Sequence, residues 1–213
     1  MSVRLAAVRL FLAVLSVTLL GLAPPVRAGE APQEIREHQG RHLAAFARDY
    51  DNSIQGPQKV DPQGLRLKIH GLVDKPLSLT YDQVLALPPV RRVVTMPCVE
   101  GWSEVLLYDG ARIVDLLAQA GLKPQANNII FRSVDGYSTS LRLDYIRKSD
   151  ALLGHHINGL ALDAKRGFPF QVVAEHQLGY KWAKWVTEIE ASDQPFKGYW
   201  EQRGYPEDAH TDR

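Results

Sequence analysis

The sequence predicts an α+β domain built on mixed, mostly antiparallel β-sheets with short flanking helices. Short runs of period-two or β-branched character outnumber the helical ones, and the connections between them are too short and irregular for regular β–α–β winding. No G-x-G-x-x-G and no P-loop pattern occurs, so nucleotide sites of those two kinds are not indicated. An apolar fraction of 45% and a charged fraction of 23% describe an ordinary globular chain. With 25 basic against 24 acidic side chains the net charge is +1, too balanced for binding through phosphate neutralisation, so nucleic acid is excluded as an expected partner.

The elements follow in order. Arg4 and Arg9 precede an uncharged apolar stretch from Leu10 to Ala23, shorter than the roughly 20 residues of a membrane-spanning helix. Pro24 and Pro25 follow, and Val26-Arg27-Ala28 makes a small-residue cleavage site. Residues 1–28 therefore read as a signal peptide removed after Ala28, with the mature chain starting at Gly29 in the periplasm or outside the cell. The two arginines are separated, so the signal is of the general secretory kind. Residues 29–50 read as an N-terminal arm, with a weak amphipathic helix or loose chain from Ala31 to Tyr50. The main domain is placed at 51–205 and a C-terminal tail at 206–213.

Turn formers from Asp51 to Gly64 predict an extended loop able to line a pocket. Leu65, Leu67 and Ile69 alternate with Arg66, Lys68 and His70 as in a half-buried strand, and a second strand is expected at Leu77–Thr80. Tyr81–Leu87 can make a helical turn or two before Pro88-Pro89. Arg92–Met96 is a β-branched strand that delivers Cys98 to its end. Ala111–Ala120 is spaced as a helix capped by Gly121, Asn128–Val134 as a buried strand, and Leu143–Leu153 as a further helix. Phe168–Ala174 and Trp182–Ile189 complete the strands, separated by a turn at Glu175–Gly179.

Chemistry concentrates in Thr95-Met96-Pro97-Cys98-Val99-Glu100-Gly101-Trp102-Ser103. Here proline, glycine and tryptophan form a rigid frame around the chain's one cysteine, which permits no internal disulfide. A lone cysteine is ordinarily a small buried hydrophobe, whereas an aimed thiolate suits a soft metal. Downstream stand Asp135-Gly136-Tyr137, Asn158-Gly159, Gly167-Phe168-Pro169 and Gly179-Tyr180-Lys181-Trp182.

With these blocks in this order, residues Asn52 to Tyr205 resemble the sulfite oxidase family of molybdopterin-dependent oxidoreductases. The nearest resemblance is to small bacterial members related to the periplasmic methionine sulfoxide reductase catalytic subunit. Cys-Val-Glu-Gly-Trp-Ser is the most specific block. The resemblance implies a Mo-molybdopterin cofactor, Cys98 as catalytic metal ligand, and Tyr137 as a substrate-facing hydroxyl. Position by position it implies cofactor contacts at Asn52, Gln55, Gly56, Ser133, Arg166, Gln171, Trp182, Ala183 and Lys184. Gln171 stands where larger relatives have an arginine, a neutral amide in place of a charged fork, and Arg166 could restore the charge. The implied reaction is oxygen-atom transfer on a small molecule, sulfur compounds among the candidates. Electrons would pass through a redox partner such as a cytochrome or membrane haem protein, since one cysteine leaves no haem-attachment motif.

Plainer readings stand beside these. Trp102, Trp182 and Trp185 could fill the core, Tyr137 could be only a turn residue, and Lys181 and Lys184 could be the wet face of a strand. His155-His156 reads as a solvated loop pair. The rival functions are a cofactor-free binding module that keeps the fold and a hydrolase using Cys98 as nucleophile.

Overall fold

The computed structural model describes residues 32–48 and 51–211. The expected signal peptide lies outside the described residues. Among those described, no helix is long and apolar enough to cross a membrane.

Among its described residues the arm contains no helix. It forms a minimal hairpin, β1 (Glu37–His38) and β2 (Arg41–His42), joined by Gln39 and Gly40. Both turn residues have positive φ, the conformation that two-residue hairpins select. Next come β3 (Leu67–Gly71) and β4 (Leu77–Leu79). Helix α1 (Tyr81–Leu85) begins at a capping box in which Thr80 and Gln83 satisfy each other's backbone amides. Strand β5 (Val90–Pro97) pairs along its whole length with β6 (Ser103–Arg112), and α2 (Ile113–Gln119) follows. Then come β7 (Asn128–Ser133), β8 (Ser138–Arg142), α3 (Leu143–Ser149), β9 (Leu152–Ile157), β10 (Leu160–Ala161), β11 (Gln171–Val173) and β12 (Val186–Ser192).

These strands form two five-stranded sheets. One runs β10-β9-β6-β5 with β11 also on β9; the other runs β4-β3-β12-β7-β8. Every pairing is antiparallel except β3 with β12, so the sheets are mixed and mostly antiparallel, as the sequence predicts. One apolar cluster draws on both sheets and the helices, including Ile69, Leu106, Leu116, Phe131, Ile146, Leu152 and Ile189.

Several boundaries differ from the sequence expectation for physical reasons. Strand β6 was not among the expected elements; the sequence reading placed none between Ser103 and Ala111. In the sheet Asp109 is held by a two-pronged ion pair from Arg91 on β5, at 2.6 and 2.9 Å, and Gly110 leaves room for the β9 backbone. The polar β8 is likewise buried at Thr139 and Ser140. The helix expected through Leu153 stops at Ser149, where Asp150 turns left-handed (φ 54°) and releases Leu152 and Leu153 into β9. Only Gln171–Val173 of the expected Phe168–Ala174 strand is extended in a sheet. The last strand starts at Val186, leaving Trp182–Trp185 as a loop.

His155 and His156 are not a solvated loop pair. They lie on β9 at an irregularity where Asp109 faces His156 but Gly110 faces Gly154, so His155 is an inserted residue. Such a bulge breaks the strict alternation of side chains and brings the rings together, Nδ1 to Nδ1 at 2.6 Å. His155 is buried, and desolvation, reinforced by His156, pushes it down to about 4. Between about pH 6.5 and 4 the unfolded chain therefore binds a proton that the native state refuses. Stability is expected to fall across that window by at most about 3 kcal/mol and to level off below it. Urea unfolding from pH 7 to 4 checks this: His155→Gln should show a flatter profile than the parent, and parallel profiles overturn the assignment.

Candidate functional site

Seven of the residues singled out in the sequence converge on a cavity of about 390 Å³, which Gln55, Gly56, Ser133 and Arg166 do not border. Asn52, Cys98, Tyr137, Gln171, Trp182, Ala183 and Lys184 all line it. Their segments are held by different elements, which is why sheet topology must be complete before the site exists.

Cys98 follows the last residue of β5. Its amide donates to the Trp102 carbonyl at 2.8 Å, and Gly101, at φ 86°, donates back to the Cys98 carbonyl at 3.1 Å, closing a tight loop. The sulfur is half-buried and free. Beside it, Glu100 Oε2 lies 3.9 Å from Sγ and accepts from Trp102 Nε1 at 2.8 Å. Asn52 Nδ2 reaches the same oxygen at 3.5 Å, which ties the early loop to the cysteine loop.

The turn between β7 and β8 supplies the next group. Asp135 Oδ1 accepts from the Tyr137 amide at 3.0 Å, folding Asp-Gly-Tyr around Gly136 at φ 81°. Burial pushes the Asp135 carboxyl above its ordinary range. Tyr137 is more than a turn residue: it lines the cavity, and its hydroxyl donates to the Tyr180 carbonyl. Burial, with Glu201, Tyr180 and Asp135 nearby, holds that hydroxyl far above its usual range, so it keeps its proton. Ser133 is buried at the base of the same turn. Gln55 Nε2 sits 4.0 Å from where a Cβ on Gly136 would be, and Gly56 beside it takes φ 77°.

Lys181 and Lys184 are not the wet face of a strand. Lys181 is fully buried, donating to Glu201 Oε1 at 2.6 Å and the Ser140 carbonyl at 3.1 Å. Lys184 donates to Asp51 Oδ1 at 2.8 Å with its ammonium 4.3 Å above the Trp185 ring. Burial lowers the Lys184 ammonium while Asp51 opposes the shift. Trp182 and Trp185 serve both readings, since each is buried and each borders the cavity.

Arg166 sits elsewhere. It is 2% exposed and does not border the cavity; its guanidinium donates to Glu104 at 2.9 Å, to the Phe46 carbonyl at 2.6 Å and to the Ala45 carbonyl. Glu104 also accepts from Arg48. Arg166 thus fastens the arm to β6.

Sequence reasoning assigned no role to Arg48, Glu100, Asp135, Trp200 or Tyr205, all of which border the cavity. Glu100 and Asp135 stood inside the quoted blocks. The two aromatics carried no signal, because they arrive through a distant approach: Gly198 packs so tightly on β8 that a Cβ would lie 2.1 Å from the Ser138 carbonyl.

The donor set has a definite chemical character. Two buried polar atoms at the β7–β8 turn, Ser133 Oγ and Asp135 Oδ2, have no partner among the described residues. Around them stand amides, a lysine and a soft sulfur. Such a set fits an anionic, hydrogen-bonding heterocycle with a soft metal at one end. Fold and cavity together offer the room and the donors of a cofactor-binding protein.

Comparison with known proteins specifies the kind. Residues 54–200 match the family model for the oxidoreductase molybdopterin binding domain, and the chain belongs to that family. It is 33% identical to the uncharacterized oxidoreductase YuiH of Bacillus subtilis (strain 168) over 150 residues, covering 70% of this chain and 76% of that one. It is 32% identical over 154 residues to the protein-methionine-sulfoxide reductase catalytic subunit MsrP of Gluconobacter oxydans (strain 621H), covering 64% and 49% respectively. The fold is shared with the sulfane dehydrogenase SoxCD of Paracoccus pantotrophus at a TM-score of 0.67 and 23% identity, over 84% of this chain and 50% of that one. The chain thus spans about half the length of these last two. It is a molybdenum-dependent oxidoreductase of the sulfite oxidase type, and its cofactor is Mo-molybdopterin.

Proposed function

We propose that the chain is an exported enzyme of oxygen-atom transfer on a small substrate, sulfur compounds among the candidates, with Cys98 as the molybdenum ligand. The observation that carries this reading is the position of the one cysteine. It stands at the end of β5, half-buried, as the one thiol on a cavity also lined by the amides of Asn52 and Gln171, the cations Arg48 and Lys184, the carboxylates Glu100 and Asp135, and several aromatics.

When bound, the molybdopterin supplies two-electron oxygen-atom chemistry. The protein binds and orients. Lys184 and Gln171 offer donors to the anionic end, Asn52, Gln55 and Ser133 offer hydrogen bonds around the ring, Trp182 and Ala183 shape the wall, and Gly56 turns the early loop that carries Asn52 and Gln55. Arg166 contributes from behind, by holding the arm that precedes the Asn52 loop. Tyr137 keeps its proton and presents a neutral hydroxyl at the cavity. The aromatic chains Trp102, Trp200 and Tyr205 exclude water from the reacting end. Export rests on the signal-like residues 1–28. A redox partner, of the cytochrome or membrane haem kind, is supported by the likeness to MsrP, itself a catalytic subunit.

Purified protein is expected to hold molybdenum near one atom per chain and to release a fluorescent pterin on denaturation, with an N-terminus at Gly29. Protein that folds without either molybdenum or pterin, from cells able to make the cofactor, would sink the reading.

A further inference from the structure

Tyr108 lies on β6, wholly buried, with its ring 6.0 Å from that of Trp182. The space it occupies is made by Gly154 on β9, where a Cβ would lie 2.9 Å from the Tyr108 ring. Its hydroxyl donates to Gln171 Oε1 at 2.9 Å. Gln171 is itself buried, on β11, and borders the cavity.

A buried hydroxyl hydrogen needs an acceptor, and leaving it without one costs more than a typical hydrogen bond contributes. Among the described residues, Gln171 Oε1 is the acceptor Tyr108 has. Burial holds the Tyr108 hydroxyl far above its ordinary range, so it remains a donor at every working pH. If the Gln171 amide turned over, Tyr108 would have to accept from Nε2 and its own hydrogen would be orphaned. The amide is thereby fixed with its oxygen toward Tyr108 and its NH₂ on the other side.

We propose that Tyr108 is a positioning residue that locks the Gln171 amide with its two N–H donors facing the cavity, making Gln171 a one-way donor to the acceptor atoms of the bound cofactor. An arginine has no acceptor end and needs no such lock; a glutamine does, because half of its rotations would present an oxygen to an anion. The inference rests on the reading above that Gln171 faces the cofactor.

The test follows cofactor release from the holoenzyme, read as molybdenum and pterin lost on dialysis, for Tyr108→Phe, Gln171→Ala and the double variant. Phenylalanine keeps the ring against Gly154 and Trp182, and the thermal midpoint of each protein checks the fold. Tyr108→Phe is expected to release cofactor roughly three- to tenfold faster, the worth of one hydrogen bond. Gln171→Ala should be at least as fast, and the double variant no faster than Gln171→Ala alone. A purely structural role for Tyr108 would instead multiply the two effects, and that result overturns the inference. Release unchanged in Tyr108→Phe but quickened in Gln171→Ala overturns the lock alone. Release unchanged in Gln171→Ala removes the reading that Gln171 faces the cofactor, and the lock with it.

Discussion

Cys98→Ser is expected to abolish turnover while leaving the fold in place. Among the described residues the sulfur makes one long polar contact, 3.9 Å to Glu100, so exchanging it for oxygen breaks no strong hydrogen bond and the thermal midpoint without cofactor should hardly move. With Cys98 as the proposed molybdenum ligand the metal would feel the change fully, because a serine hydroxyl is a harder donor and far less acidic than a thiol. The measurement is turnover at matched molybdenum content, together with the midpoint. Activity within a few-fold of the parent would remove Cys98 from the metal.

The second large effect is on stability. Glu104 is 8% exposed and accepts from both Arg48 and Arg166, and Arg166 is 2% exposed. Glu104→Ala leaves the Arg166 guanidinium buried without its carboxylate. Breaking one side of a buried ion pair typically costs about 3–5 kcal/mol, far more than the pair is worth against apolar replacements. The loss should be visible in urea unfolding, and Glu104→Gln, which keeps an acceptor, should be milder. Because Arg166 also holds the Ala45 and Phe46 carbonyls, the alanine variant is expected to free the arm and weaken cofactor retention as well. A loss below about 1 kcal/mol would show that the network is not buried as described.

Legibility in the sequence followed the range of the forces. The alternation of Leu67 and Ile69 against Lys68 and His70, and the Thr80–Gln83 capping box, are settled within a few residues, so their elements were readable. The cysteine block was readable too, since Pro97, Gly101 and Trp102 build its frame locally. Strand β6 was not, because Asp109 belongs in a sheet only through Arg91 on the neighbouring strand. The His155 bulge depends on the register of β9 against β6 and leaves no periodic trace. Arg166 shows the same limit at the site: its residue type suited an anion, but its direction is set by carbonyls of the arm about 120 residues earlier. Trp200 and Tyr205 reach the cavity through Gly198 on β8, a contact no spacing encodes.

The one parallel pairing, Lys68 opposite Glu188 through Gly71 opposite Ala191, joins the first long strand to the last. Strand β12 sits in the middle of its sheet, with β3 and β4 on one side and β7 and β8 on the other. Until it emerges from the ribosome, those two pairs of strands have nothing to bridge them, and half of the core lacks its keystone. Closing so long a loop is entropically slow, and contacts of such high sequence separation belong to slow-folding topologies. The sheet that carries the β7–β8 turn is therefore joined to β3 and β4 only once β12 is in place, and the cofactor's binding place comes into being no earlier than that step.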